Sequence, residues 1–396
     1  MKVPRRRFGR TGVDIPVLSC GGMRYQQSWD DLTPEKVDSA IQKNLEETIH
    51  TALSYGINHI ETARGYGTSE MQLGWLLPRL PREELLLQTK IHPFGEDTPS
   101  LRETFEKSMK YLQVDYVDFL SIHGINLPHH IDELFRKGGA MDQVRELQRE
   151  GRVRFVGYST HGGPEIAVPA AKSGEFDYVN LHWYYVYHPI HWEMVAASAE
   201  ADMGVFIISP NDKGGMLQAP SKILCDLCEP YTPMQWHDAY CLSKPEVHTL
   251  SLGAAKPTDF KEHVEAVNHQ ITLSEVERIE FNIKAEMEKR LGAAWLNHWH
   301  EGIPHYTKIP GEVNIEEILR LYTFEKGLDL TEWAKMRYNL LGNADHWFPG
   351  QQAQNVDKID MNILSANRFC NDIPHILKTA HKAYVDPKKN SRLSDQ

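Results

Sequence analysis

Between residues 17 and 252 the chain repeats one pattern eight times: a short apolar run suited to a buried strand, then a longer stretch with helical spacing. The strand-like runs fall at 17–20, 59–63, 85–90, 116–123, 155–159, 178–183, 205–209 and 249–252. Helical patterns follow at 69–77, 100–112, 131–150, 164–173, 192–201, 233–242 and 257–268, and one at 35–55 precedes the second run. With no second composition regime among them, the alternation predicts an α/β fold closed as a parallel (β/α)8 TIM barrel rather than an open sheet. Residues 5–19, with basic, glycine and apolar residues around Arg10-Thr11-Gly12, read as a hairpin capping the barrel's bottom.

Three successive runs end in an ionisable group. The stretch His59-Ile60-Glu61-Thr62-Ala63-Arg64-Gly65-Tyr66-Gly67 carries a carboxylate at the strand end and a phenol in a glycine turn. Lys90 closes the next run and His123 the one after. In a parallel barrel those ends share one rim, the face where active sites are built. Singly, a strand-end lysine is ordinarily a solvated charge and a histidine a hydrogen-bonded core residue. Together they suit carbonyl reduction, which needs a hydride on carbon and a proton on oxygen. A phenol with an ordinary pKa of about 10 donates poorly without help. A lysine beside it stabilises the phenolate, a carboxylate holds the lysine, and a histidine orients the carbonyl.

Charge narrows the partners. Lys+Arg 43 against Asp+Glu 54 gives a net −11, and no basic block interleaves with aromatics, which argues against nucleic acid or an anionic membrane. No apolar run approaches the ~18 residues that span a bilayer, and Met1-Lys2-Val3-Pro4-Arg5-Arg6-Arg7 lacks a signal peptide's apolar core, so the expected location is cytoplasmic. The 5 cysteines do not form a disulfide scaffold, and Cys225 and Cys228, spaced C-x-x-C without a second close pair, read as reduced thiols rather than a metal site.

On these motifs, in this order, the chain resembles the aldo/keto reductases over roughly 1–285. The resemblance implies a catalytic tetrad of Glu61, Tyr66, Lys90 and His123. The family usually has aspartate where this chain has Glu61. The added methylene keeps the charge and displaces it by about a bond length, so shortening Glu61 to aspartate is expected to keep or improve activity. For the cofactor, the resemblance implies that Ser159 and Asn180 contact the nicotinamide amide. Ser209, Lys213 and Gly214 then cover the pyrophosphate, and Gly253, Lys256 and Glu262 hold the adenosine end. Lys256 suits a 2′-phosphate, so NADPH is expected ahead of NADH, although Asp259 stands where arginine or glutamine is common and Ile208 replaces a stacking tyrosine. Tyr25, Trp29 and Trp183 suggest an aromatic-lined mouth for a small carbonyl substrate.

Beyond about Leu291 the strand repeats stop, and helical segments rich in tryptophan and histidine follow. Residues 314–322 and 335–339 resemble the extension of a reductase branch that carries ferredoxin-like cysteine clusters. A cluster needs about four thiolates at close spacing, and Cys370 is the only cysteine past Cys241, so a helical remnant without iron–sulfur cluster is expected. His298, His300 and His305 are not expected to hold metal, because residues two apart face different ways on helix or strand. The expected layout is a reductase barrel at 1–288, the remnant at 289–385 and a disordered tail at 386–396. The extension is expected to wall the substrate pocket or to serve as a surface for a protein partner or self-association. Two functional classes stand against the reductase: a nicotinamide-binding regulatory or partner-binding protein with weak or no catalysis, and an aldolase or phosphate-binding isomerase. The latter would not require the tyrosine and histidine beside its lysine.

Overall fold

The computed structural model describes residues 1–95, 97–188, 190–268 and 271–386. The chain divides into two compact units, the first made of Met1–Trp183, His191–Pro210 and His237–Gln270, the second of Tyr184–Ile190, Asn211–Trp236 and Ile271–Gln396.

The first unit is a closed barrel of eight parallel strands behind a short antiparallel hairpin. The hairpin pairs β1 (Arg5–Arg7) with β2 (Asp14–Pro16), with Arg6 opposite Ile15. The barrel strands are β3 (Leu18–Gly21), β4 (His59–Glu61), β5 (Leu86–Ile91), β6 (Val117–His123), β7 (Val153–Ser159), β8 (Tyr178–Leu181), β9 (Gly204–Ile207) and β10 (Thr249–Leu252). They neighbour one another in chain order, and β10 closes the ring against β3. Phe8 and Ile15, from the hairpin segment, pack with Leu86, Phe119, Tyr178 and Phe206 into a core cluster at the barrel's lower end. The expected eightfold alternation is therefore present, and the hairpin has the strands the sequence suggests.

Two differences have local causes. The single helix expected at 131–150 is two, Pro128–Phe135 and Ala140–Arg149, because Gly138 sits at φ +76° and Gly139 is extended, a break that side-chain-bearing residues resist. The strand expected at 205–209 stops at Ile207, and Ser209 has turned to φ +52°, which a continuing strand cannot accommodate. Above the apolar plug the barrel interior is polar. Ser19, His59, Gln88, Ser121, Asn180 and Thr249 are all fully buried.

The second unit is helical, with Leu273–Leu291, Ile315–Leu328, Thr331–Tyr338 and Ile373–Tyr384 as its longer elements. Arg320 lies at its centre with no exposure, 3.9 Å above the Tyr187 ring and paired with Glu317. That pairing with an aromatic face and a carboxylate is what makes a buried guanidinium tolerable. The tail expected from 386 lies, past Asp386, outside the described residues.

Candidate active site

Three neighbouring strands deliver three of the four residues, and the loop after β4 carries the fourth, Tyr66. Glu61 ends β4, Lys90 lies near the end of β5, and His123 ends β6. Glu61 and Lys90 are almost fully buried, and His123 is 9% exposed. The Lys90 ammonium forms an ion pair with Glu61 Oε1 and donates to the Tyr66 hydroxyl at 3.0 Å and to the Thr62 carbonyl at 3.2 Å. Burial pushes the pKa of Lys90 well below the ordinary lysine value, and the paired Glu61 carboxylate acts in the opposite sense, favouring the charged form. The imidazole of His123 stands perpendicular to the Tyr66 ring, centroids 5.8 Å apart. The phenol oxygen thus has the Lys90 ammonium beside it, while the His123 imidazole stands edge-on to the phenol ring.

The loop that carries Tyr66 is fixed by geometry rather than by packing alone. Gly67 is at φ +50°, and a Cβ there would come within 1.9 Å of the Ser28 carbonyl oxygen, so only glycine fits. Arg64 spans the loop, donating to the Gly67 carbonyl at 2.9 Å and to the buried Glu70 at 2.6 Å, and pairing with Asp31. The family-atypical Glu61 also has a matching niche. Its other carboxylate oxygen, Oε2, accepts from Ser251 Oγ at 3.1 Å, and Gly21 stands opposite Glu61 in the β3–β4 register. A Cβ on Gly21 would approach Ser251 Oγ to 2.7 Å and Glu61 Oε2 to 3.1 Å. The missing side chain at Gly21 leaves room for that carboxylate oxygen and its serine partner. Sequence pattern assigns neither residue a role at the site: Gly21 with Gly22 reads as a turn after the first strand, whereas Gly21 is that strand's last residue, and a serine in an apolar run carries no signal of its own.

The residues expected at the nicotinamide end lie beside these four. Ser159 pairs in register with both His123 and Asn180, and its Oγ accepts from the Gly124 amide at 3.0 Å. Asn180 is fully buried and its Nδ2 meets no acceptor among the described residues. A buried amide N–H2 without an acceptor costs free energy unless a ligand supplies one, and a carboxamide oxygen has the required chemistry. Farther out, Ser209 is half-buried in its left-handed turn. Gly253 follows β10, Lys256 is exposed and Glu262 half-buried. Asp259 accepts the backbone N–H groups of Ala255 at 2.9 Å and Lys256 at 3.2 Å, holding the turn ahead of the helix Phe260–Asn268. Lys213 and Gly214 belong to the second unit, where the Lys213 carbonyl accepts from Trp333 Nε1 at 3.1 Å. Of the three aromatics expected at the mouth, Trp29 is half-buried and stands edge-on to Tyr66 at 6.2 Å. Tyr25 and Trp183 are buried instead, Trp183 between Tyr240 and Trp192. Among the described residues no group of three or more His, Cys, Asp or Glu is arranged to hold a metal ion, and no helix is long and apolar enough to cross a membrane.

Residues 17–283 match the sequence profile of the aldo/keto reductase family. Curated relatives include a probable aldo-keto reductase 1 of Glycine max, 25% identical over 52% of this chain and 59% of its own length. L-galactose dehydrogenase of Arabidopsis thaliana is 24% identical over 70% of this chain and 94% of that protein. Among solved structures, the holo form of aldo-keto reductase AKR11C1 from Bacillus halodurans superposes with a TM-score of 0.58 at 21% identity, covering 71% of this chain and 96% of that one. The thermostable aldo-keto reductase Tm1743 in complex with the inhibitor epalrestat superposes equally, at 0.58 and 21%, over 70% and 99%. At these identities the structural likeness speaks for the fold.

Proposed function

The chain belongs to the aldo/keto reductase family, an NAD(P)H-dependent oxidoreductase group, and on that premise we propose that it reduces an aldehyde or ketone to the alcohol, with Tyr66 as proton donor. The observation that carries this reading is the 3.0 Å contact between Lys90 Nζ and the Tyr66 hydroxyl, with Glu61 paired to the same ammonium. A bound nicotinamide would supply the hydride. Tyr66 gives its proton to the carbonyl oxygen, and the phenolate left behind is stabilised by the adjacent ammonium in a site from which water is largely excluded. His123, perpendicular to the phenol ring, orients the carbonyl toward the same proton.

For the cofactor, Ser159 and Asn180 would hold the carboxamide. Ser209, Lys213 and Gly214 would hold the pyrophosphate, and Gly253, Lys256 and Glu262 the adenosine end. The exposed Lys256 ammonium supports NADPH ahead of NADH; the neighbouring Asp259 carboxylate, already engaged with two backbone amides, tempers that preference. We read the region 289–385 as a cluster-free remnant of a ferredoxin-like extension. Self-association or a protein partner through that extension is part of the same reading. A cytoplasmic location accords with the chain's composition.

The test is a spectrophotometric screen of the purified protein with NADPH and NADH against a panel of small carbonyls, repeated with Tyr66→Phe. Turnover should fall by roughly 10²–10⁴ in the variant while cofactor affinity stays nearly constant. A variant that keeps wild-type turnover removes Tyr66 as the donor. Cofactor binding without turnover on any carbonyl would favour the regulatory alternative.

A further inference from the structure

Beneath the tetrad a chain of buried polar side chains crosses the barrel from strand to strand. Thr249 Oγ1 lies 2.7 Å from Ser19 Oγ, and Ser19 Oγ lies 2.7 Å from His59 Nδ1. On the other side of the ring, His59 Nε2 lies 3.1 Å from Gln88 Oε1. Gln88 Nε2 then donates to Asn180 Oδ1 at 3.2 Å, and Ser121 Oγ donates to the same oxygen at 2.8 Å. Every one of these residues is fully buried, so each donor and acceptor must be accounted for within the protein or by a ligand. Among the described residues the account closes at every atom except Asn180 Nδ2.

We propose that Thr249, Ser19, His59 and Gln88 form a hydrogen-bond relay that fixes the amide of Asn180 with its N–H2 turned outward as the donor to the nicotinamide carboxamide oxygen. His59 and Gln88 are thereby positioning residues for the cofactor's reactive end. The inference rests on the reductase reading and goes beyond it, because it gives a role to two residues that the reading leaves without one.

Asn180 Oδ1 is filled by two donors. Turning that amide over on its own would set Asn180 Nδ2 against Gln88 Nε2, donor on donor in a low-dielectric interior. Gln88 is prevented from yielding by His59, whose Nε2–H donates to Gln88 Oε1. His59 is a neutral ring: burial among Phe119, Phe206 and its polar neighbours lowers its pKa to about 3. A neutral imidazole has a single proton, so placing it on Nε2 leaves Nδ1 to accept from Ser19. The direction of the whole relay is therefore written in one tautomer. Reversing every member together would also satisfy the chain, but it would present Asn180 Oδ1 outward and require the proton on His59 Nδ1.

Gln88→Met keeps the length of the side chain and removes both of its hydrogen-bonding ends, freeing Asn180. Binding is measured by titration calorimetry for two pairs: NADPH with 2′-phospho-ADP-ribose, and NADH with ADP-ribose. The fragment in each pair lacks nicotinamide. In the pair that binds the wild-type protein, the dinucleotide should weaken about tenfold in the variant, corresponding to loss of one oriented hydrogen bond, while the fragment changes less than twofold. In the wild-type protein, carbon-13 and nitrogen-15 shifts of His59 should report the Nε2–H tautomer with cofactor bound. An unaltered ratio of dinucleotide to fragment affinity in Gln88→Met, or an Nδ1–H tautomer at His59, overturns the relay. Should Gln88→Met lose the fragment as well, its fold is disturbed. Thr249→Val, which removes only the distal hydroxyl, then decides: a selective two- to fivefold loss for the dinucleotide supports the relay and an unaltered ratio overturns it. A wild-type protein that binds neither dinucleotide nor fragment overturns the cofactor reading and the relay with it, an outcome distinct from selective failure in the variant.

Discussion

Shortening Glu61 to aspartate makes the carboxylate the residue type usual in the family, and length alone suggests that activity would be kept or improved. The geometry gives the opposite sign. Glu61 holds two partners at once, the Lys90 ammonium through Oε1 and Ser251 Oγ through Oε2. Both neighbours are on other strands, and Gly21 provides the space between them. Removing one methylene withdraws the carboxylate by about 1.5 Å. A charge pair drawn from about 2.8 to about 4.3 Å at an effective dielectric of ~20 loses about 2 kcal/mol of attraction. That loss corresponds to roughly 30-fold in rate if the ammonium is needed to stabilise the phenolate. It also moves the titration of Lys90. Burial already holds that pKa below the ordinary value, and weaker support for the charged form lowers it further. With the charged ammonium as the proposed active form, the alkaline limb of the kcat profile should move to lower pH, with cofactor affinity little changed. Steady-state kinetics of Glu61→Asp from pH 5 to 10 measure both effects. An aspartate variant with wild-type kcat and an unmoved alkaline limb would show that Lys90 follows the carboxylate, and would refute the reasoning from the Ser251–Gly21 niche.

Two further outcomes follow from the buried groups. His59 has its pKa lowered to about 3, and His237 and His248 to about 4, in each case chiefly by burial. Folded values below the unfolded ~6.5 mean that the unfolded chain binds the additional protons, so stability contributed above that value is lost as pH falls toward 4, by up to about 1.4 kcal/mol per pH unit for each ring. Calorimetric unfolding at pH 5 in buffers of different ionisation enthalpy should record net proton uptake, to which these three contribute about one proton each; zero uptake or net release would contradict the burial argument. For the extension, anaerobic reconstitution with iron and sulfide should leave the protein colourless, since Cys370 is the only thiol past Cys241 and about four are needed for a cluster. Stoichiometric iron and sulfide with visible charge-transfer absorption would reverse that reading.

What could be read from the sequence was whatever coincided with the period of the chain. Glu61, Lys90 and His123 stand at strand ends, so locating the strands located the residues, and the parallel closure then brought them to one rim. Pairings that depend on closure itself left no trace in local pattern. Ser251 meets Glu61 across 190 residues of sequence, and Gln88 meets Asn180 across 92. A serine or a glutamine in an apolar run looks like an ordinary strand residue until the neighbour it faces is known. The same limit explains Trp183, which ends a strand run as a mouth residue would, yet stacks on Tyr240 at 5.5 Å, a partner supplied by a segment 57 residues later. Helix continuity over 131–150 failed for a different reason, since apolar spacing persists through Gly138 and Gly139 while the backbone does not. Glu61 joins the two cases. Its departure from aspartate was visible at once, but whether one methylene is harmless or required depends on a glycine and a serine on the two strands β3 and β10, and so on the ring having closed.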